Sequence, residues 1–545
     1  MKIYHYVADF ETTLEAPTNV WAYSVASITE EKIVNNGDNI TDFINFINKR
    51  NSDCFFHNLK FDGEFLLSYL LNNGFTYVEK KPKENEFSTI IDHMGTFYQI
   101  EVRWHNGKKT WFKDSFKLLP FSVRKIGKDF GIGETKGDID FQQAQADNYK
   151  LTPERLDYVN RDVLVVAKAL KKCYFDYGKV KMTIGANALF LYKTQFIKDF
   201  RKIFPELDKE VDRFFRKGYH GGFCWVNPKI QGQVVGSGRV FDVNSLYPYS
   251  MTKLLPYGKP LYFKGEYKQN KYYPLYVIRF RAVFKVKNGF IPFLQIKKNL
   301  SFLPTQFIEE VREITELTMT NVDFELFKKH YDITYLEYLD GYMFKGSTEF
   351  FKAYIEHFME IKMNSKGAVK QRAKLFLNNL YGKFSTSPNN ITKIPYIDNG
   401  EVRYKTVEGP DKKTVYLPVG MFTTAYGMSQ TVSTAQMCYD RICYCDTDSI
   451  HILGNKTPNI KIDKVKLGYW DNEYNFVKAR FVKPKTYFEI TDEGDNIIKA
   501  CGLPDSVKVK VKFDDFKRGL CVGGKLLPKR VVGGIILVDT DFTIK

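Results

Sequence analysis

Ile442-Cys443-Tyr444-Cys445-Asp446-Thr447-Asp448-Ser449-Ile450-His451-Ile452 sets two carboxylates two residues apart between runs of β-forming side chains. β-Branched and aromatic residues lead into a tight polar turn and out again, which predicts a hairpin. Side chains two apart on an extended chain share a face, so Asp446 and Asp448 are expected to point together. Two carboxylates about 4 Å apart repel by roughly 4 kcal/mol at an effective dielectric near 20, so a site that keeps both ionised calls for a cation. Oxygen ligands alone favour magnesium or manganese. By itself a D-x-D turn is more often ordinary surface structure, so its meaning depends on the rest of the chain.

At 545 residues the chain has room for three or four packed units. A hydrophobic fraction of 44%, with 46 Phe and 35 Tyr, excludes a disordered chain. The net charge of +18 fits a polyanionic partner, nucleic acid before an anionic membrane surface. The eight cysteines are scattered without metal-ligand spacing and read as reduced thiols of a cytosolic protein. Met1 to Asp9 carries no apolar signal region, and no window of about 20 residues is free of charge, so neither secretion nor a membrane span is expected.

Acidic residues recur at element ends from the start of the chain. Tyr4 to Thr13 reads as an opening strand with Asp9 and Glu11 on one face. In Phe55-Phe56-His57-Asn58-Leu59-Lys60-Phe61-Asp62 a strand end passes into a helix start that presents Asp62. Thr152-Pro153-Glu154 opens a helix, with Thr as N-cap and Pro in the first turn, and that helix sets Tyr158 and Asp162 four apart on one face. The order D-x-E, N-x-x-x-D, Y-x-x-x-D resembles the DEDD-type 3′–5′ exonucleases. The resemblance implies two metal ions held by Asp9, Glu11, Asp62 and Asp162, with Tyr158 orienting a water. It also implies support from Lys136, and contacts to a single-stranded 3′ end from His57, Asn58, Phe61 and Ser115.

After about residue 182 a second set begins. Tyr219-His220-Gly221-Gly222 resembles a Y-x-G-G linker between exonuclease and polymerase domains, whose glycines let a backbone approach DNA closely. Val240-Phe241-Asp242-Val243-Asn244-Ser245-Leu246-Tyr247-Pro248 reads as a strand ending at Asp242, followed by a short helix that Ser245 caps. On a helix at 100° per residue, Lys370, Lys374, Asn378 and Tyr381 fall within an arc of about 80°, beside an apolar arc of Ala373, Phe376, Leu377 and Leu380. That polar face holds no acid and suits a nucleoside triphosphate.

Together D-x-x-S-L-Y-P, the lysine helix, the D-T-D hairpin and Lys485-Thr486-Tyr487 resemble the family B DNA polymerases. Within them, Lys136-Gly137-Asp138-Ile139-Asp140, Leu254-Leu255-Pro256-Tyr257-Gly258, Cys438-Tyr439-Asp440-Arg441 and Phe542-Thr543-Ile544-Lys545 look like the protein-primed enzymes of φ29-like bacteriophages. The resemblance implies Mg2+ or Mn2+, two ions per active site, held by Asp242, the Val243 carbonyl and Asp448, with Asp446 in a lesser role. Tyr247, Lys362, Lys370, Lys374, Asn378 and Tyr381 would contact the nucleotide. Tyr219, Gly221, Gly222, Lys485 and Tyr487 would contact DNA. His220 departs from the subgroup's usual arginine, which makes a phosphate contact there weaker or pH-dependent.

The fold implied is a multidomain α+β and α/β chain: an RNase H-like exonuclease over 1–182, then a right-hand polymerase over 183–545. Within the latter, palm is expected at about 183–253 and 418–500, a first insertion at about 254–350, fingers at about 351–385, a second insertion at about 386–417 and thumb at about 501–545. Each insertion is too long for a simple connection, and its mixed composition favours structure of its own. The partners implied are template and primer DNA, dNTPs and a terminal protein primer, with a monomer or terminal-protein heterodimer working in the cytoplasm of an infected bacterial host. Two alternatives remain: a 3′–5′ exonuclease with a degenerate polymerase half, and a non-catalytic DNA-binding protein.

Overall fold

A computed structural model describes residues 2–132, 140–295 and 307–545. Tyr4–Thr12, buried at most positions from Tyr6 onward, forms a strand inside a mixed eight-stranded sheet. It pairs antiparallel with Val20–Ser27 and parallel with Ser52–Phe56, which in turn runs parallel to Lys109–Asp114. The helix Leu59–Asn72 follows directly from the parallel strand. The helix Pro153–Cys173 begins as expected, with the Thr152 hydroxyl accepting from Arg155 N–H and Pro153 at its first position.

The second eight-stranded sheet is antiparallel, in the order Asn496–Ala500, Thr486–Thr491, Trp470–Lys483, Gly238–Val243, Ser449–Leu453, Ile442–Asp446 and Cys224–Val226, with Val234–Val235 pairing off Trp470–Lys483. Its central strands are short and apolar, and their ends carry the acids. Leu417–Met437, a helix buried along most of its length, backs this sheet.

Both long interruptions carry structure. Leu255–Lys264, Leu275–Val286, Glu310–Thr320 and Tyr331–Ser347 form a four-stranded sheet with the helix Asn321–His330 packed on it. Asn390–Asp398 and Glu401–Gly409 form a hairpin, and a second hairpin, Cys521–Val531 with Gly534–Thr543, ends the chain. The two large sheets do not stand apart. One apolar core runs from Val7, Ile126, Val163 and Leu170 through Phe376, Leu377 and Leu380 to Leu417 and Phe422. No helix among the described residues is long and apolar enough to cross a membrane.

Candidate active sites

Asp242 is the penultimate residue of the strand Gly238–Val243, which runs one residue past the expected end, and it lies opposite Ser449 on one neighbour and Asp471 on the other. The hairpin forms where the sequence predicts it, and Val243 N–H donates to the Asp448 carbonyl at 2.8 Å. Its two acids nevertheless have different partners. Thr447 adopts φ 56°, which breaks the extended alternation between them. The Asp446 carboxylate takes the Lys485 ammonium at 2.7 and 2.8 Å and the Tyr444 hydroxyl at 3.2 Å. Asp448 is left to face Asp242. Burial pushes Asp242 up to about 8, with Asp448, Glu473 and Asp471 adding repulsion and Lys362 opposing it. Burial likewise lifts Asp448 to about 6. Both carboxyls resist ionisation until positive charge arrives.

That charge is concentrated across the cleft. The helix Gly367–Phe384 buries Ala373, Phe376, Leu377 and Leu380, and leaves Lys374 and Asn378 exposed with Lys370 and Tyr381 half-buried. Lys362, near the end of the preceding helix Lys352–Asn364, donates to Ser245 Oγ at 3.1 Å. Burial lowers the Lys362 ammonium, and Lys374 and Lys370 lower it further, so three cations converge here. The expected Ser245 cap is not made. Ser245 precedes Leu246–Ser250 in a left-handed conformation, φ 55°, with no hydrogen bond from its side chain to the helix start. Its hydroxyl serves Lys362 instead. Tyr247 and Tyr381 lie ring to ring at 4.2 Å and 33°, and burial raises both phenols.

The linker glycines divide. Gly221 faces open space, but a Cβ on Gly222 would stand 2.4 Å from Thr447 Oγ1 and 2.8 Å from its Cγ2. The close approach that Gly222 permits is therefore to the hairpin turn between the acids, whose Thr447 N–H also donates to the Phe223 carbonyl at 2.6 Å. Tyr219 adds to the electrostatic surroundings of Tyr247 and Tyr381. His220 turns its Nε2 to within 3.3 Å of Asp323, a buried acid of the first insertion, rather than presenting a free cation to phosphate. Tyr487 is buried in a ring cluster with Tyr444, His451 and Phe481, so its body holds the hairpin and little of it meets solvent.

In the first sheet, Asp9 and Glu11 project from Tyr4–Thr12, and Asp62 lies in the first turn of Leu59–Asn72. Phe10 N–H donates to Asp62 Oδ1 at 3.2 Å, tying the strand to the helix. Burial raises the Asp62 carboxyl well above the usual range, and Asp9 and Glu11 add to the shift. Asp9, His57 and Asp162 line one cleft of about 220 Å³. Tyr158 and Asp162 are buried on one face of Pro153–Cys173. His57 is held by Ser115 Oγ at 3.0 Å and the Phe121 carbonyl at 2.8 Å. Ser115 is itself fully buried and donates to the Phe56 carbonyl, so it positions His57 and does not reach a strand directly. Asn58 is exposed at φ 79°, with its backbone N–H on Asp114, and half-buried Phe61 leans on Phe65. Lys136 lies outside the described residues.

The profile of a family described as DNA polymerase type B, organellar and viral, matches residues 44–467. This chain belongs to that family. It is 40% identical to the DNA polymerase of Bacillus phage Nf over 98% of this chain and 99% of the relative, and 40% identical to that of Bacillus phage phi29 over 99% of each. The solved phi29 DNA polymerase complexed with primer-template DNA superposes with a TM-score of 0.94 at 39% identity, covering 100% of both chains. The phi29 ternary complex with primer-template DNA and incoming nucleotide superposes at 0.93 with 39% identity, over 99% of this chain and 100% of that one.

Divalent metal suits the carboxylates of this polymerase. Among the described residues no three acidic, His or Cys side chains form a closed ligand set. The protein offers the raised pair Asp242 and Asp448 instead, which suits a small divalent cation of the kind proteins generally hold through one or two carboxylates, with waters and substrate phosphates completing the shell. Sequence reasoning missed Asp471 and Glu473, which deepen the negative potential at Asp242. Their signal was the acid alternation in Trp470-Asp471-Asn472-Glu473, unreadable without knowing that this strand borders Asp242. It also missed Tyr444, whose hydroxyl both donates to Asp446 and accepts from Lys485 N–H at 3.0 Å.

Proposed function

We propose that the chain is a DNA-directed DNA polymerase with a 3′–5′ proofreading exonuclease, divided near residue 182. The observation that carries the synthetic activity is the placement of Asp242 and Asp448 at adjoining strand ends, opposite Lys362, Lys370 and Lys374. The lysines draw in the triphosphate, and Tyr247 with Tyr381 forms the wall against which base and sugar seat. Lys485, by neutralising Asp446, leaves Asp242 and Asp448 as the principal acids. Two Mg2+ or Mn2+ ions, held by Asp242, Asp448 and the Val243 carbonyl, would supply charge stabilisation for phosphoryl transfer. The primer 3′-oxygen then bonds to the α-phosphorus, and the bond to the departing pyrophosphate breaks.

In the first sheet, Asp9, Glu11, Asp62 and Asp162 would hold the same metals once these are present, and Tyr158 would orient the hydrolytic water. Asn58 and Phe61 receive the frayed 3′ end. The first insertion is the surface for a terminal protein primer, the second flanks the duplex, and replication runs with strand displacement in the host cytoplasm. These assignments rest on the resemblance together with the structured insertions.

The test is one primer on a single-stranded circle, with Mg2+ and dNTPs. Products many circles long support the reading; products that stop at one circle remove strand displacement; a primer that only shortens leaves a nuclease. Asp448→Ala should abolish addition and keep degradation, while Asp9→Ala with Asp62→Ala should do the reverse.

A further inference from the structure

Glu64 lies in Leu59–Asn72, two residues past Asp62, and is 2% exposed. A glutamate is almost never this buried without partners. Both of its resolved partners come from distant parts of the chain. The Tyr404 hydroxyl donates to Glu64 Oε2 at 2.9 Å, and Arg530 Nε donates to Oε1 at 3.0 Å. Tyr404 belongs to the hairpin of the second insertion and Arg530 to the terminal hairpin. The guanidinium also stacks over the Tyr404 ring at 4.7 Å, so each of the three groups touches the other two.

The surrounding contacts show what this cluster closes. The terminal hairpin is rooted at one end in the second sheet, where Phe542 and Ile544 share a core with Val482 and Phe488. Its tip reaches the first sheet. Thr18 N–H donates to the Val532 carbonyl at 2.9 Å, and Gly534 lies so close to Phe65 that a Cβ would stand 2.6 Å from the ring. Val402 and Ile535 enter the first sheet's core from the two hairpins, and Asp92 forms a β-bridge with Thr392. The first sheet is also joined to the second through the continuous apolar core at Leu170, Phe376 and Leu377. Two separate junctions between the same bodies make a ring. One junction is a long continuous apolar core; the other combines a few apolar side chains, Val402 and Ile535 among them, with a charged and hydrogen-bonded cluster.

We propose that Glu64, Arg530 and Tyr404 form a latch that holds this ring closed around DNA and so positions the polymerase on one primer through successive additions. The proposal rests on the polymerase reading above. Opening at the latch uncovers few apolar side chains, chiefly Val402 and Ile535, and frees a carboxylate and a guanidinium that water solvates well, whereas opening the opposite junction exposes the longer continuous core. The ring therefore opens here, and the three side chains determine how often.

The test is extension of an annealed primer with heparin added at the start, so that each product reports a single binding event. Single-nucleotide addition at saturating enzyme and thermal melting are measured alongside. Arg530→Ala should shorten products about tenfold, and Tyr404→Phe by a smaller factor, while single addition stays at the wild-type rate; tenfold more frequent opening corresponds to about 1.4 kcal/mol. Arg530→Lys, which keeps the charge, should recover most of the length. Unchanged product length in Arg530→Ala overturns the latch. If that variant fails to fold, Tyr404→Phe decides, since it removes one hydroxyl, and unchanged length there also overturns the latch. Single addition falling in step with length overturns it as well, because the residues would then act on chemistry. Wild-type protein that adds no nucleotide overturns the polymerase reading itself, and the latch with it.

Discussion

Removing one carboxylate from the polymerase centre should stabilise the metal-free protein. Asp242→Asn keeps the side-chain shape and deletes the charge. The folded carboxyl stands at about 8 against an ordinary 3.8. That gap of about 4 units sets an upper bound of about 6 kcal/mol at 1.36 kcal/mol per unit. Asp242 is only partly buried, and solvent screening reduces the gain to about 2–3 kcal/mol. The sign follows from proton linkage. Folded Asp242 keeps its proton to higher pH than the unfolded chain does, so its contribution is fully present below about pH 4 and is lost as pH rises toward about 8. The variant has no such slope. For 545 residues unfolding together, about 2.1 cal/mol/K per residue converts the gain to a rise of about 2 °C in Tm. The assay is thermal melting of both proteins in EDTA at about pH 5 and about pH 8, with a repeat in Mg2+, which should raise wild type more than the variant. Equal melting at the higher pH, or the same advantage at both, would refute the reasoning.

Gly222→Ala should drive its new methyl into Thr447 and shift the catalytic turn. Steady-state addition should fall about 100-fold with the fold retained, a loss typical of a 1 Å misplacement, and wild-type kinetics would show that the turn yields without effect. Lys485→Met removes the cation from Asp446 and leaves its charge beside Asp448, so the Asp448 carboxyl should rise and the acid limb of the rate–pH profile should move to higher pH. A limb that stays in place would separate Lys485 from the acids. Tyr247→Val, by opening the wall shared with Tyr381, should cut discrimination against ribonucleotides about tenfold, as measured by competing rNTP and dNTP incorporation.

Local chemistry was legible in the sequence wherever a short-range rule governs it. The opening strand with Asp9 and Glu11, the Thr152-capped helix carrying Tyr158 and Asp162, the two-faced helix from Gly367 to Phe384 and the D-T-D hairpin all follow from periodicity and capping over a few residues. The family was legible for the same reason, since its motifs are local. Where a residue's surroundings depend on what approaches from elsewhere, short-range rules could read them only in part. Ser245 looked like a helix cap because Lys362, 117 positions away, was out of view. The lesser role of Asp446 came from the resemblance alone, because the positive φ at Thr447 and the arrival of Lys485 are not encoded in spacing. That Gly222 packs against the turn between Asp446 and Asp448 was likewise out of view.

The sequence by itself determined the family and the elements on which the candidate site residues ride, because motifs and helical or extended repeats are properties of neighbouring residues. Only the tertiary structure decided which acids face one another, which is paired with a lysine, and that Glu64 is buried between Tyr404 and Arg530. Burial and pairing are set by sheet register and by contacts across hundreds of residues. Charge repulsion falls off over a few ångströms, so it takes its value only once the fold has brought those groups together.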